Sequence, residues 1–233
     1  MVPLARRCPE ICHAIILEIK EKAEGVFLWV KIVVKLLVDG LKSGDSIEEL
    51  QVKLHSLPGD LRALYRRMIF QIPLEYQTQA VEIFQLLQTC QSSFGGFPFD
   101  TILLHFALQP PHESIEQPVG ALDSKTLVWH CQRTAARVQS RSCGLLEVTR
   151  TDLYKKSVIP LGHILLSNVR YLHRTVGEFL RSDDVKLEME KMVHQTFDPY
   201  QQITAAFLSL VKISSAPLTE AIMMNYVDKL LHF

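Results

Sequence analysis

The run Val169-Arg170-Tyr171-Leu172-His173-Arg174-Thr175-Val176-Gly177-Glu178-Phe179-Leu180 changes its period partway along, and that change constrains the fold around it. Val169 and Tyr171 alternate with Arg170, as in a half-buried strand, whereas Val176, Phe179 and Leu180 share one face of a helix. Thr175 and Glu178 have the T-x-x-E spacing of a capping box for that helix. His173 therefore falls between strand and helix, just ahead of a helix N-terminus, where free N–H groups and the positive dipole end favour an anion. The geometry suits phosphate sensing.

Helical signals fill the chain before this point. A helix is expected over residues 10–24, ended by Gly25, and a second over 26–41. In the second, Lys31 and Lys35 mark a solvated face, with Trp29, Val30, Val33, Val34 and Leu37 opposite. Its apolar run is about 13 residues long and interrupted by those lysines, whereas a membrane span needs about 20. Ser46 and Glu49 make a capping box for a helix with Ile47, Leu50, Leu54 and Leu57 inward. After Pro58-Gly59, Leu61, Leu64, Tyr65, Met68, Ile69 and Ile72 keep a strict three-four rhythm, ended by Pro73, and Ala80, Ile83, Phe84 and Leu87 carry the next helix to Cys90.

A Ser/Gly/Pro loop is expected over 91–98, a short apolar helix over 100–108, and an exposed insertion over 109–120. Residues 123–141 return to helix, with Leu127, Val128, Cys131, Ala135 and Val138 inward and Arg133, Arg137 and Arg141 stacked four apart outward. Strands are expected over 145–149 and 168–173, and further helices from Asp198-Pro199 and from Pro217. Helices, then a β-hairpin, then a short helix, is winged-helix order.

Composition removes several classes of function. Lys plus Arg equals Asp plus Glu at 25 each, so no global field recruits nucleic acid or an anionic membrane. The five cysteines are odd in number and scattered, which favours reduced, buried thiols over a disulfide framework. Cys8, Cys12 and His13 lack a second ligand pair at zinc-finger spacing, and no metal site is expected. Pro9-Glu10 stands where a signal peptide would need its apolar core, so a cytoplasmic location is expected. With nine histidines and five cysteines, spacing selects no catalytic pair.

Four blocks carry a family resemblance. Lys22-Ala23-Glu24-Gly25-Val26-Phe27-Leu28-Trp29-Val30-Lys31 is similar to the helical-domain signature of fungal NACHT proteins, and Leu57-Pro58-Gly59-Asp60-Leu61-Arg62-Ala63-Leu64-Tyr65 resembles the linker and helix that follow it. Cys143-Gly144-Leu145-Leu146-Glu147-Val148 and the run from Leu172 to Leu180 resemble the winged-helix portion. NACHT proteins are STAND-class signal-transducing NTPases, related to NOD-like receptors of innate immunity and, in fungi, to heterokaryon incompatibility. The resemblance is to the region downstream of their nucleotide-binding core. It implies a mainly α fold: a helical lid domain over 1–57, a winged-helix domain with a small β-hairpin over 58–182, and the start of a C-terminal helical region over 183–233.

The resemblance also implies a regulatory role, closing over ADP in the inactive state and mediating conformational change and oligomerisation. The histidine that opens the winged-helix motif is implied to reach the β-phosphate, which makes His173, with Arg174 and Thr175, the nucleotide-sensing candidates. No G-x-x-x-x-G-K-[ST] string occurs, and Leu36-Leu37-Val38-Asp39-Gly40 continues a helical period rather than forming a metal-binding strand. The chain is thus expected to be no enzyme and to hold no cofactor alone, with ADP or ATP bound only alongside an upstream NACHT core in cis or in trans. Where the family often has a proline against the adenine, this chain has Phe27, expected in the core. A homo-oligomer is expected on activation, and neither membrane nor nucleic acid is an expected partner. Two rival readings remain: a winged-helix DNA-binding protein using the arginine stripe, and a standalone adaptor or decoy for full-length NACHT proteins.

Overall fold

A computed structural model describes residues 9–93, 99–120, 122–149, 167–193 and 197–213. The helix expected from Pro217 and the Cys8 side of the Cys8/Cys12 pair lie outside these residues. Among the described residues the fold is mainly helical with one small antiparallel two-stranded sheet. Among the described residues no helix is long and apolar enough to cross a membrane. Contacts divide the chain into two compact units, 1–70 and 71–233.

The first unit holds α1 (Pro9–Ala23), α2 (Phe27–Ser43), α3 (Ile47–Ser56) and α4 (Leu61–Phe70). The three helices α1, α2 and α3 pack on one another around Trp29, Ile32, Val33, Leu50 and Leu54. The α3 start is the expected capping box: Ser46 Oγ accepts from Glu49 N–H at 3.2 Å and Glu49 Oε2 accepts from Ser46 N–H at 2.7 Å. At its other end Lys22 Nζ donates to the carbonyls of Leu54, His55 and Leu57 at 3.0, 2.6 and 3.1 Å, which satisfies groups a helix terminus leaves open. Trp29 Nε1 donates to Pro58 O at 2.8 Å, and a Cβ on Gly59 would lie 3.1 Å from Lys22 O. Segments 22–31 and 57–65 therefore meet through a close backbone approach that a side chain at Gly59 would crowd.

Two expectations for α2 fail. Phe27, expected in the core, is 84% exposed, and Val34 is exposed while Ile32 is buried in its place. Helix α2 is apolar on both sides, so periodicity fixes that it is a helix without fixing which side α1 and α3 cover.

The second unit holds α5 (Leu74–Ser93), α6 (Thr101–Ala107), α7 (Pro111–Glu116), α8 (Ser124–Arg141), β1 (Leu146–Thr149), β2 (Asn168–Tyr171), α9 (Arg174–Leu180), α10 (Asp183–Glu190) and α11 (Pro199–Ile213). Its centre is α6, buried on every side and packed against α8 and α11, as an all-round apolar helix must be. Residues 91–93 continue α5 instead of opening a loop.

The segment 109–120 is largely exposed, as expected, but it holds a helix that is tied to another element. Helix α7 lies on α11, Lys212 Nζ donates to the carbonyls of Ser114, Ile115 and Gln117 at 2.9, 2.7 and 3.0 Å, and Gly120 N–H donates to Lys212 O. The lysine that satisfies its carbonyls lies almost a hundred residues away in the chain, so this tie has no local sequence signal.

Candidate functional site

The sheet sets the position of His173. Strands β1 and β2 pair Leu146 with Tyr171, Glu147 with Arg170, Val148 with Val169 and Thr149 with Asn168. Val169 and Tyr171 turn inward and Arg170 outward, where its Nε donates to Glu147 Oε1 at 2.8 Å across the strands. One further tie, Leu172 N–H to Leu145 O at 2.9 Å, ends the pairing. The next residue, His173, is still extended at φ −157° and ψ 155°, and α9 begins immediately after it.

His173 is itself the N-cap of α9, and this corrects the expected capping box. Its Nδ1 accepts the backbone N–H of Thr175 at 3.3 Å and lies 2.9 Å from the Thr175 hydroxyl. Thr175 is the second helical residue, too far inside to cap, and Glu178 is exposed on the helix surface. Because Nδ1 accepts, the ring proton of the neutral imidazole sits on Nε2. His173 and Arg174 are both exposed. The three residues singled out from sequence thus stand together at one strand-to-helix joint.

Gly177 fixes the helix to the strand, a role the sequence pattern did not reveal. A Cβ there would come within 2.8 Å of the Tyr171 ring, so only glycine lets α9 lie this close to β2. The Tyr171 ring is buried, and burial pushes its hydroxyl pKa up while Arg181 pulls the other way. Its Oη has no hydrogen-bond partner among the described residues.

A second cluster of titratable groups lies where α6 meets α8. The rings of His105 and His130 stack with centroids 4.0 Å apart, and His105 Nε2 is 3.4 Å from Gln109 Nε2. Burial, then the neighbouring His130, Arg137 and Arg133, lowers the His105 pKa to about 3; burial and then Arg133 lower that of His130. This pair is held neutral.

The arginine stripe is largely engaged inside the unit. Arg133 lies over the Trp129 ring at 5.0 Å. Arg141 lies over the Tyr76 ring at 4.4 Å and donates from Nε to Gln79 Oε1 at 2.6 Å, which ties α8 to α5. Burial raises the thiol pKa of Cys90, of Cys143 and of Cys131, the last to about 12, so none of the three is set up as a thiolate nucleophile. Among the described residues no three His, Cys, Asp or Glu side chains gather where they could hold a metal ion.

No curated protein and no solved structure matches the chain. A family model described as a domain of unknown function, DUF7791, matches residues 71–221. That stretch begins where the second compact unit begins and takes in the sheet, His173, the histidine pair and the arginine stripe. It covers well over half of the sequence, and the chain belongs to the DUF7791 family.

Proposed function

We propose that this chain is the regulatory, non-catalytic part of a NACHT-type nucleotide switch. It closes over ADP in the inactive state and swings away to permit oligomerisation when ATP and a ligand favour the open one. It works in the cytoplasm with a NACHT core, in cis or in trans, that supplies the phosphate-binding loop and the metal ligands.

The observation that carries this reading is the imidazole of His173. Its Nδ1 is engaged by the first turn of its own helix, its Nε2–H is the remaining donor, and Arg174 adds a positive charge next to it. A ring held in advance gives a phosphate oxygen a hydrogen bond with little reorganisation. The reading rests on the side chain and not on free backbone N–H groups, since the Thr175 N–H is spent on His173. The DNA-binding reading is weaker because Arg133 and Arg141 already have intramolecular partners, and salt-dependent binding to duplex DNA is its discriminating result. A standalone adaptor would be recovered with full-length NACHT proteins in a pull-down.

The test uses a chain that joins this sequence to a nucleotide-binding core. His173→Ser keeps a good N-cap but removes the imidazole donor. A hydrogen bond to a charged group is worth about 1.5 to 3 kcal/mol, so ADP release should quicken roughly tenfold to a hundredfold, with ligand-independent oligomerisation. If the variant holds ADP as tightly as before and stays monomeric, His173 is only a helix cap and the sensor reading fails.

A further inference from the structure

Helix α2 is apolar over more than half of its circumference, and the structure covers only part of that arc. Trp29, Ile32, Val33, Leu37 and Gly40 are buried in the first unit. On the rest of the arc, Phe27 is 84% exposed, Val34 and Val38 are 42% exposed and Leu41 is 37% exposed, with Val30 half-buried among them. At about 100° per residue these five positions fall within an arc of about 80°, and they rise about 21 Å along the axis. Lys31, Lys35 and Lys42 follow one edge of the stripe. Neither Lys31 nor Lys35 has a carboxylate within salt-bridge distance among the described residues, whereas Lys42 lies 3.8 Å from Asp39, the one acidic residue of α2.

We propose that this stripe docks an amphipathic helix from a partner, one whose apolar positions recur every three or four residues and whose carboxylates line the edge facing Lys31 and Lys35. The steps along the stripe, three, four, four and three residues, are those by which one helix seats its side chains between those of another. Its width suits a single helix, and its length is about four turns. Charge selects the chemistry of the occupant: two lysines on an exposed apolar edge gain most from acidic residues opposite, and like charge there would penalise a wrong partner. A second copy of α2 cannot supply them, because its single carboxylate is Asp39, already beside Lys42. An anionic bilayer fits less well, since the lysines flank only one side of the stripe and the face opposite it is buried within the unit. The inference does not rest on nucleotide sensing.

The experiment titrates the full chain into two fluorescently labelled synthetic amphipathic helices with the same leucine pattern, one with glutamate along one edge and the other with lysine, and follows anisotropy. The glutamate helix is expected to bind at least roughly tenfold more tightly than its lysine twin. Val34→Asp with Val38→Asp should abolish that binding, while Lys31→Glu with Lys35→Glu should reverse the preference between the two probes. All four positions are exposed, and matching melting curves establish that the variants remain folded. The proposal is overturned if the probes bind equally or not at all. It is equally overturned if the substitutions at Val34 and Val38 leave probe binding intact and instead weaken self-association or sedimentation with phosphatidylserine vesicles.

Discussion

Helices α3 and α9 each have a hydroxyl residue with a glutamate three positions on at their start, Ser46 just before α3 and Thr175 inside the first turn of α9, yet they start in different ways. At α3 the pair Ser46 and Glu49 closes a reciprocal box just past the turn after α2, where Asp45 N–H donates to Gly40 O and no strand pairing intervenes. At α9 the pair Thr175 and Glu178 closes nothing, because the chain arrives as a strand tied to its neighbour as far as Leu172 and enters the helix as soon as it is released. The cap then falls to the residue at the release point, His173. A local motif sets a helix start where no strand pairing fixes the turn, and loses when pairing across the sheet has already fixed where the turn must be. The close approach of Gly177 to Tyr171, six residues earlier, then seats α9 on the strand.

The largest expected effect tests how far the second unit depends on contacts made across the chain. His105 has a folded pKa of about 3 against 6.5 for a free histidine, so the unfolded chain takes up the proton first. Stability is therefore whole above about pH 6.5 and falls as pH drops towards 3, by about 3 kcal/mol at pH 4, with His130 adding in the same direction. Urea melts from pH 7 to 4 should show the loss, and His105→Phe should flatten it. An unchanged acid limb in that variant would mean that burial of His105 is not what costs stability in acid.

Next in size is Gly177→Ala, which should destabilise by about 1 to 3 kcal/mol despite the better helix propensity of alanine, since the added methyl meets a buried ring. A rise in the urea midpoint would break the claim that strand contact places α9. The smallest effects compare the two helix starts directly. Ser46→Ala should cost about 1 kcal/mol and Thr175→Ala about 0.3 kcal/mol, because the first removes a cap and the second only a hydroxyl beside one. Equal losses in thermal melts would restore Thr175 as the cap.

Much of this fold is legible in local patterns. Wherever punctuation and period agree, as from Ser46 to Leu57 or from Leu64 to Ile72, the expected helix forms and the expected residues are buried. The placement of the candidate residues is legible in part: His173, Arg174 and Thr175 stand where strand gives way to helix, but which of them caps is not read from spacing. Helix α7 is not legible for a related reason, since the carbonyls at its end are satisfied by Lys212 from another helix.

By itself the sequence determined the helical character of the chain, the ends of most helices and the strand that leads to His173. These depend on propensities, caps and periods that act over a few residues. Tertiary structure decided which face of α2 is buried, that α7 is pinned to α11, that His105 and His130 stack, and that α9 begins at Arg174 with His173 as its cap. Each of those outcomes depends on which distant surface or donor arrives to satisfy a segment with more than one local solution, and a local pattern does not contain that information.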